Sequence, residues 1–249
     1  ISTCMRLAIG LPTTRSRCPD RRASTTDHAA SLILHAWLRW GETCVERIDG
    51  DFAFAIHDPR HQLLYLARDR MGSCPLYNHH VPGRLLVFGT TSHSVLAHPH
   101  VPADLDPARI ADFLVQGLES VDFTSTFHAQ VRRSPPRHSL LVTPGRHELS
   151  QYWQLQASEA SQVPKSDDEW AEAVTAALED AVGRTLTGPD RVGSTLSGGL
   201  DSTSLAYIAS DLLQAMGAGP LATFSAIDSS RPECPETAAV RRSITKFGL

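Results

Sequence analysis

Cysteine is sparse in this sequence: five residues in 249, an odd number with no CxxC pair. That pattern argues against a disulfide framework and against a zinc site, and a reducing cytoplasm is the expected compartment. Long apolar runs are also lacking. None approaches the roughly 20 residues of a membrane span. The brief apolar stretch at 4–11 is interrupted by Arg6 and has no cleavage-like pattern after it, so it is not a signal peptide of the usual form. Charge of one sign does not dominate either, since a net charge of −4 gives no reason to expect nucleic acid or an anionic membrane as partner. Twelve histidines occur without an HExxH spacing, and no Gly is followed by Lys-Ser or Lys-Thr. An initiating Met is absent. The chain opens on Ile1 and stops at Phe247-Gly248-Leu249, and both ends read as cut, whether in a natural or a sequencing fragment.

What is present fits a soluble globular protein of one large or two modest domains, 41% hydrophobic and 20% charged. The first 24 residues show no clear period. A helix is expected over 27–40, with Ala30, Ile33, Leu34, Trp37 and Leu38 on one face. Residues 50–58 read as a strand with Phe52, Phe54 and Ile56 alternating, and 63–68 as its hairpin partner. Short strands are expected at 75–78 and 84–89, and a helix over 106–117 with Ile110, Phe113 and Leu114 inward. A hairpin follows at 139–142 and 148–153. Polar, Ser-rich residues 156–167 read as a linker. Beyond it come a helix over 170–186 with an apolar stripe from Ala173 to Val182, a strand at 191–196, a helix over 203–213 and a strand at 221–227. A crossover helix over 236–247 completes the order, which implies parallel pairing of the two strands.

The stretch Ser197-Gly198-Gly199-Leu200-Asp201-Ser202 sits between that strand and that helix. A strand, a paired-glycine turn and a helix start make a good phosphate cradle. The unpaired N–H groups of the first turn and the helix macrodipole both favour an anion there. Ser197 and Ser202 offer hydroxyls, and Asp201 offers a carboxylate able to hold Mg²⁺ beside a polyphosphate. An ordinary Gly-Gly loop ahead of an N-capped helix has the same composition. The order SGGLDS, however, resembles the pyrophosphate loop of the ATP-pyrophosphatase superfamily. That resemblance implies cleavage of ATP between its α and β phosphates and adenylation of a substrate.

Other stretches carry a wider resemblance. Gly50-Asp51-Phe52-Ala53-Phe54-Ala55-Ile56-His57-Asp58 is similar to a GDFAFAIWD strand. Ala67-Arg68-Asp69-Arg70-Met71-Gly72-Ser73-Cys74-Pro75-Leu76-Tyr77 is similar to ARDRFGIKPLY. Leu96-Ala97-His98-Pro99, Arg132-Arg133-Ser134-Pro135-Pro136-Arg137-His138 and Tyr152-Trp153 fall in the same order. Together with the loop they resemble the glutamine-hydrolysing asparagine synthetases over about residues 25–249.

The resemblance implies an α+β Ntn-hydrolase-like sandwich, here incomplete, over 1–155, in which a terminal Cys attacks glutamine. Residues 168–249 would begin an α/β parallel-sheet ATP-pyrophosphatase domain. It implies an ATP-dependent carbon–nitrogen ligase whose substrates are glutamine, ATP and a carboxylate such as aspartate, with Mg²⁺ as cofactor. Ser197, Gly198, Gly199, Leu200, Asp201 and Ser202 would bind the pyrophosphate, Asp201 the metal. Asp27 would hold the α-amino group of glutamine or, alternatively, only favour a helix start. No Cys is assignable as the nucleophile: Cys4 is not terminal, and Cys18, Cys44, Cys74 and Cys234 read as ordinary thiols. Arg68, Asp69 and Arg70 read as a structural ion pair ending a strand, and Glu233 or Glu236 either aids the ATP site or starts a helix. The oligomeric state is open, with a homodimer as one candidate.

Departures from the family pattern bear on the product. His57, Met71, Ser73 and Cys74 replace an aromatic, Phe, Ile and Lys, and Thr90-Thr91-Ser92-His93 stands in place of SE-x-K. Alternatives therefore stay open: a ring-closing amide synthetase of the β-lactam synthetase or lasso-peptide cyclase type, or a non-catalytic fragment.

Overall fold

A computed structural model of the chain describes residues 6–16, 29–115, 117–118, 122–157, 164, 166–186, 192–227, 230 and 234–248. The backbone separates into two compact units, Ile1–Gln156 and Ala157–Leu249. Among the described residues no helix is long and apolar enough to cross a membrane.

The first unit is built on a five-stranded antiparallel sheet ordered β1 (Arg6–Ser16), β2 (Ile48–Asp58), β3 (Leu63–Arg68), β7 (His138–Thr143) and β8 (Arg146–Gln151). The alternation in β2 has the expected consequence. Phe52, Phe54 and Ile56 face one side, where they meet Ile33 and Ala36 of α1 (Ala29–Trp40) together with Tyr65 and Leu141. The intervening Ala53 and Ala55 are buried as well, against Leu66 and Leu140 and residues of a second sheet, Leu86 and Phe88 among them. That sheet is antiparallel, ordered β5 (Leu85–Gly89), β4 (Tyr77–Val81), β6 (Arg132–Arg133). On its other side Tyr77 and Val87 pack on Val95, Val101 and Val131, where the short α2 (Ser92–Leu96) lies. The unit is thus a helix layer, two sheets face to face and an outer cover, each layer burying what the period-2 pattern supplies.

Three expectations for this unit need correction. β1 is a strand where no period was visible. Pro12 interrupts its pattern at a register shift between Gly10 and Thr13, and an edge strand with an irregularity is where a sheet tolerates Pro. In α1 the buried positions are Ile33 and Ala36, with Trp37 and Trp40 partly covered, so Leu38 is left 61% exposed. The stripe follows i, i+3, i+4, i+7 from Ile33 through Ala36 and Trp37 to Trp40. In α3 (Pro107–Leu114), capped by the Asp106 carboxylate on the amides of Ala108 and Arg109, the buried residue is Arg109. Phe113 and Leu114 face outward, with Phe113 edge-on to Phe127 at 5.3 Å.

The second unit contains α4 (Asp167–Thr185), β9 (Gly193–Thr195), α5 (Leu200–Ala215), β10 (Ala222–Phe224) and α6 (Pro235–Phe247). β9 and β10 pair in parallel, Ser194 opposite Thr223. The core is formed by Val182, Leu186, Leu196, Ala206, Ala209, Leu213, Leu221 and Val240. Of the apolar stripe expected on α4 only Val182 is buried, where it joins the core together with Leu186 just beyond the helix. The inward face of α5 is Ala206, Ala209 and Leu213, with Ile208 and Leu212 partly buried beside them, and Leu205 is exposed.

Candidate functional site

Chemistry is concentrated where β9 hands the chain to α5. Leu196 is buried and its N–H donates to Phe224 O at 2.8 Å, while the Ser225 hydroxyl donates to Leu196 O at 2.7 Å, so the strand end is tied from β10. The chain then turns. Gly198 has φ +77°, and a methyl placed on it would lie 2.7 Å from the Val240 nitrogen and 2.8 Å from the Ala239 Cβ. Only glycine satisfies both conditions. Gly199, extended at φ −73° and ψ 165°, is the N-cap of α5 and lends no side chain to the cap.

The hydroxyls named from the sequence come together. Ser202 Oγ accepts from the Ser197 N–H at 3.1 Å and lies 2.8 Å from Ser197 Oγ. Ser197 Oγ also accepts from the Gly199 N–H at 3.4 Å. This closes the turn on itself and leaves the mouth open: Ser197, Gly199, Leu200 and Asp201 are exposed, Leu200 to 83%. Asp201 lies in the first turn of α5, beside backbone amides that have no carbonyl one turn back. A convergent pair of hydroxyls, outward amides and a carboxylate in one turn suits a polyphosphate with its cation.

Two supporting contacts were not legible in the sequence. Ala239 and Val240 of α6 form the wall behind Gly198, and Ser225 holds Leu196. Nothing in a one-dimensional pattern joins residues so far apart, 29 positions for Ser225 and Leu196 and more for Gly198 and Ala239; the clue was a glycine where a helix start tolerates other residues. Glu236 is exposed in the first turn of α6. Glu233 lies outside the described residues.

In the first unit Asp27 lies outside the described residues, as do Cys4 and Cys18. The buried Cys44 thiol is pushed up to about 12 by desolvation. Burial, and then the Asp69 charge, raise Cys74. A thiol moved away from the thiolate is a poor nucleophile, which agrees with reading both as ordinary. The Arg68-Asp69-Arg70 step is structural, but it is not an ion pair within the triplet. Asp69 is 1% exposed and its carboxylate accepts from the amides of Met71, Ser73 and Cys74 at 3.1, 2.9 and 2.9 Å. Arg68 donates to the carbonyls of Cys74, Gly72 and Ser134. Arg70 reaches Asp49 at 3.3 Å and lies over the Trp153 ring. The Tyr152 hydroxyl donates to Arg68 O at 2.6 Å, so the end of the unit is fastened to the same turn.

Residues 15–153 match the glutamine amidotransferase domain family, and residues 173–249 match asparagine synthase. Asparagine synthetase [glutamine-hydrolyzing] 3 of Bacillus subtilis is 31% identical over 194 residues, 78% of this chain and 31% of that protein. The chain belongs to the glutamine-hydrolysing asparagine synthetase family. Amidase chyE of Penicillium rubens is 32% identical over 188 residues, 74% of this chain and 26% of that protein. The chain therefore spans under a third of the length of these curated relatives. A glutamine phosphoribosylpyrophosphate amidotransferase of B. subtilis aligns over 90% of this chain and 48% of its own, at 12% identity and a TM-score of 0.39, too low to bear on function. In this asparagine synthetase family member the SGGLDS turn falls within the synthase match and the Arg68–Asp69 turn within the amidotransferase match.

Proposed function

We propose that this chain supplies parts of an ATP-dependent, amide-forming ligase that draws its nitrogen from glutamine, with aspartate as the simplest acceptor. The observation that carries the reading is the Ser197–Ser202 turn, closed by its own hydroxyls and leading into a helix start whose amides have no carbonyl one turn back, in a chain that also carries an amidotransferase match. In the reaction the acceptor carboxylate oxygen attacks the α-phosphorus of ATP and the bond to the β-phosphate breaks. Ammonia then attacks the acyl carbon, AMP leaves, and a proton is lost to give the amide.

The residues divide that work. The amides of the first turn of α5, with the Ser197 and Ser202 hydroxyls, cradle the leaving pyrophosphate and stabilise the charge that develops on it. Gly198 and Gly199 let the backbone come close, and Leu200 completes the turn. Asp201 would hold Mg²⁺, which supplies charge neutralisation on the β- and γ-phosphates. The first unit would be the Ntn-hydrolase-like glutaminase, Asp27 holding the glutamine α-amino group. We place the boundary between the two parts at a linker over 156–167 and the working enzyme in the cytoplasm.

In the full-length enzyme Asp201→Ala is expected to abolish ATP–pyrophosphate exchange while glutamine hydrolysis continues. Exchange retained at the parental rate would overturn the assignment of Asp201. A second reading, in which the acceptor is not aspartate and the amide closes within the substrate, draws support from the likeness to a protein named an amidase and from Met71, Ser73 and Cys74. Product analysis with aspartate as sole acceptor separates the two, since only the first yields asparagine.

A further inference from the structure

The wall behind the phosphate turn is the backbone of α6 at Ala239 and Val240 together with one small side chain, the Ala239 methyl. Gly198 rests against α6 so closely that its missing Cβ would stand 2.8 Å from the Ala239 Cβ and 2.9 Å from the Ala239 carbonyl carbon. Ala239 is half-buried in the second turn of α6, between the buried Thr237 and Val240. The Thr203 and Ser243 hydroxyls lie 3.4 Å apart, so α5 and α6 meet again one turn further along. The turn that presents the amides is therefore seated on α6, and the one side-chain atom in that seat is the Ala239 methyl.

From this we infer that Ala239 is a positioning residue for the phosphate turn. Its small size sets where Gly198 and Gly199 lie, and through them the direction of the Leu200 and Asp201 amides. A larger side chain at 239 has to share space already taken by Gly198. α6 is anchored by Thr237, Val240 and Ser243, all buried, whereas the turn is mostly exposed. The turn is the part that gives way, and the amides lose their common focus. That consequence for ATP rests on the function proposed above; the seating of the turn does not.

Side-chain size and helix stability make opposite predictions at this position. Ala239→Gly weakens α6, because glycine is a poor helix former, yet leaves the backbone part of the seat in place and adds no bulk against Gly198. Ala239→Val overfills the seat, with a β-branched side chain held to one rotamer in a helix. Hydrogen exchange at the Ser197 and Gly199 amides, the two that the turn's own hydroxyls accept, reads the turn directly in this 249-residue chain. Exchange is expected to rise in Ala239→Val and to stay at the parental level in Ala239→Gly. In the full-length enzyme, ATP–pyrophosphate exchange should show the KM for ATP raised about 5- to 100-fold in Ala239→Val, the range expected for overpacking. The KM of Ala239→Gly should be near parental, and glutamine hydrolysis unchanged in both. Equal effects of the two variants, or a larger effect of Ala239→Gly, would mean that helix stability governs the turn and would overturn the inference. Should the unsubstituted enzyme show no exchange at all, the proposed function fails, and the hydrogen-exchange contrast alone decides the role of Ala239.

Discussion

Two residues, Gly198 and Asp69, hold turns that their neighbours could not hold without them. Gly198→Ala is expected to destabilise the second unit by about 1–3 kcal/mol, since a Cβ would both strain the backbone at φ +77° and press on α6. Thermal unfolding followed by circular dichroism checks the figure. Ala239→Gly is not expected to rescue it, because the Val240 nitrogen, 2.7 Å from the added methyl, is backbone. Asp69→Ala strips the acceptor from the amides of Met71, Ser73 and Cys74 at a 1%-exposed position. A loss of about 3 kcal/mol or more is expected in urea unfolding of the first unit, each buried orphaned donor contributing about 1–3 kcal/mol at most. Asp69→Asn, which keeps one acceptor oxygen, should lose less. Such residues were legible only as motifs. RDR and SGGLDS could be picked out by eye, but the sequence does not record that Asp69 serves three amides, or that Gly198 touches α6.

At the level of elements, β4 is the strand that faces both ways. His79 points to the outer cover and its Nδ1 lies 2.7 Å from Gln130 O, whereas His80 stacks on His147 of β8 at 4.1 Å with rings 3° from parallel. Burial, then the neighbouring His147 and His79, hold His80 below the usual imidazole range. The folded chain therefore takes up this proton at lower pH than the unfolded chain, in which histidine titrates near about 6.5. The stability tied to the neutral stack is fully present above that value and is lost as pH falls from it through the folded value. Melting temperature measured from pH 8 down to pH 5 should decline, and His147→Leu should make the decline shallower. An unchanged slope in that variant would remove the stack from the account. Elements themselves were read well where their period was strict, as in β2 and β3. Faces were read less well. Leu38, Phe113 and the stripe from Ala173 to Ala181 are apolar without being buried, because a broad apolar arc does not say which part of it meets a partner; Ala36 and Ala206, small and less conspicuous in the pattern, are the buried ones.

For the whole molecule, the two units differ in how much sheet they own. The first has five- and three-stranded sheets with cores on three faces, and the second has a pair of three-residue strands among its described residues. Two strands alone make a marginal sheet. Native-state hydrogen exchange is accordingly expected to show higher protection in β2, β3 and β7 than in β9 and β10. Comparable protection would mean that the helices of the second unit stabilise its strands far more than their packing suggests.

The parallel pair has one more consequence, for the behaviour of the chain in concentrated solution. Among the described residues β9 and β10 are hydrogen-bonded to each other and to no other strand. No strand among the described residues lies along their outer rows of amides and carbonyls, which a further strand would complete. Nearby, Phe224 and Ile227 stand exposed, which adds an apolar incentive to the same encounter. Concentrated solutions of this chain are therefore expected to associate along these strands, and light scattering against concentration is the check.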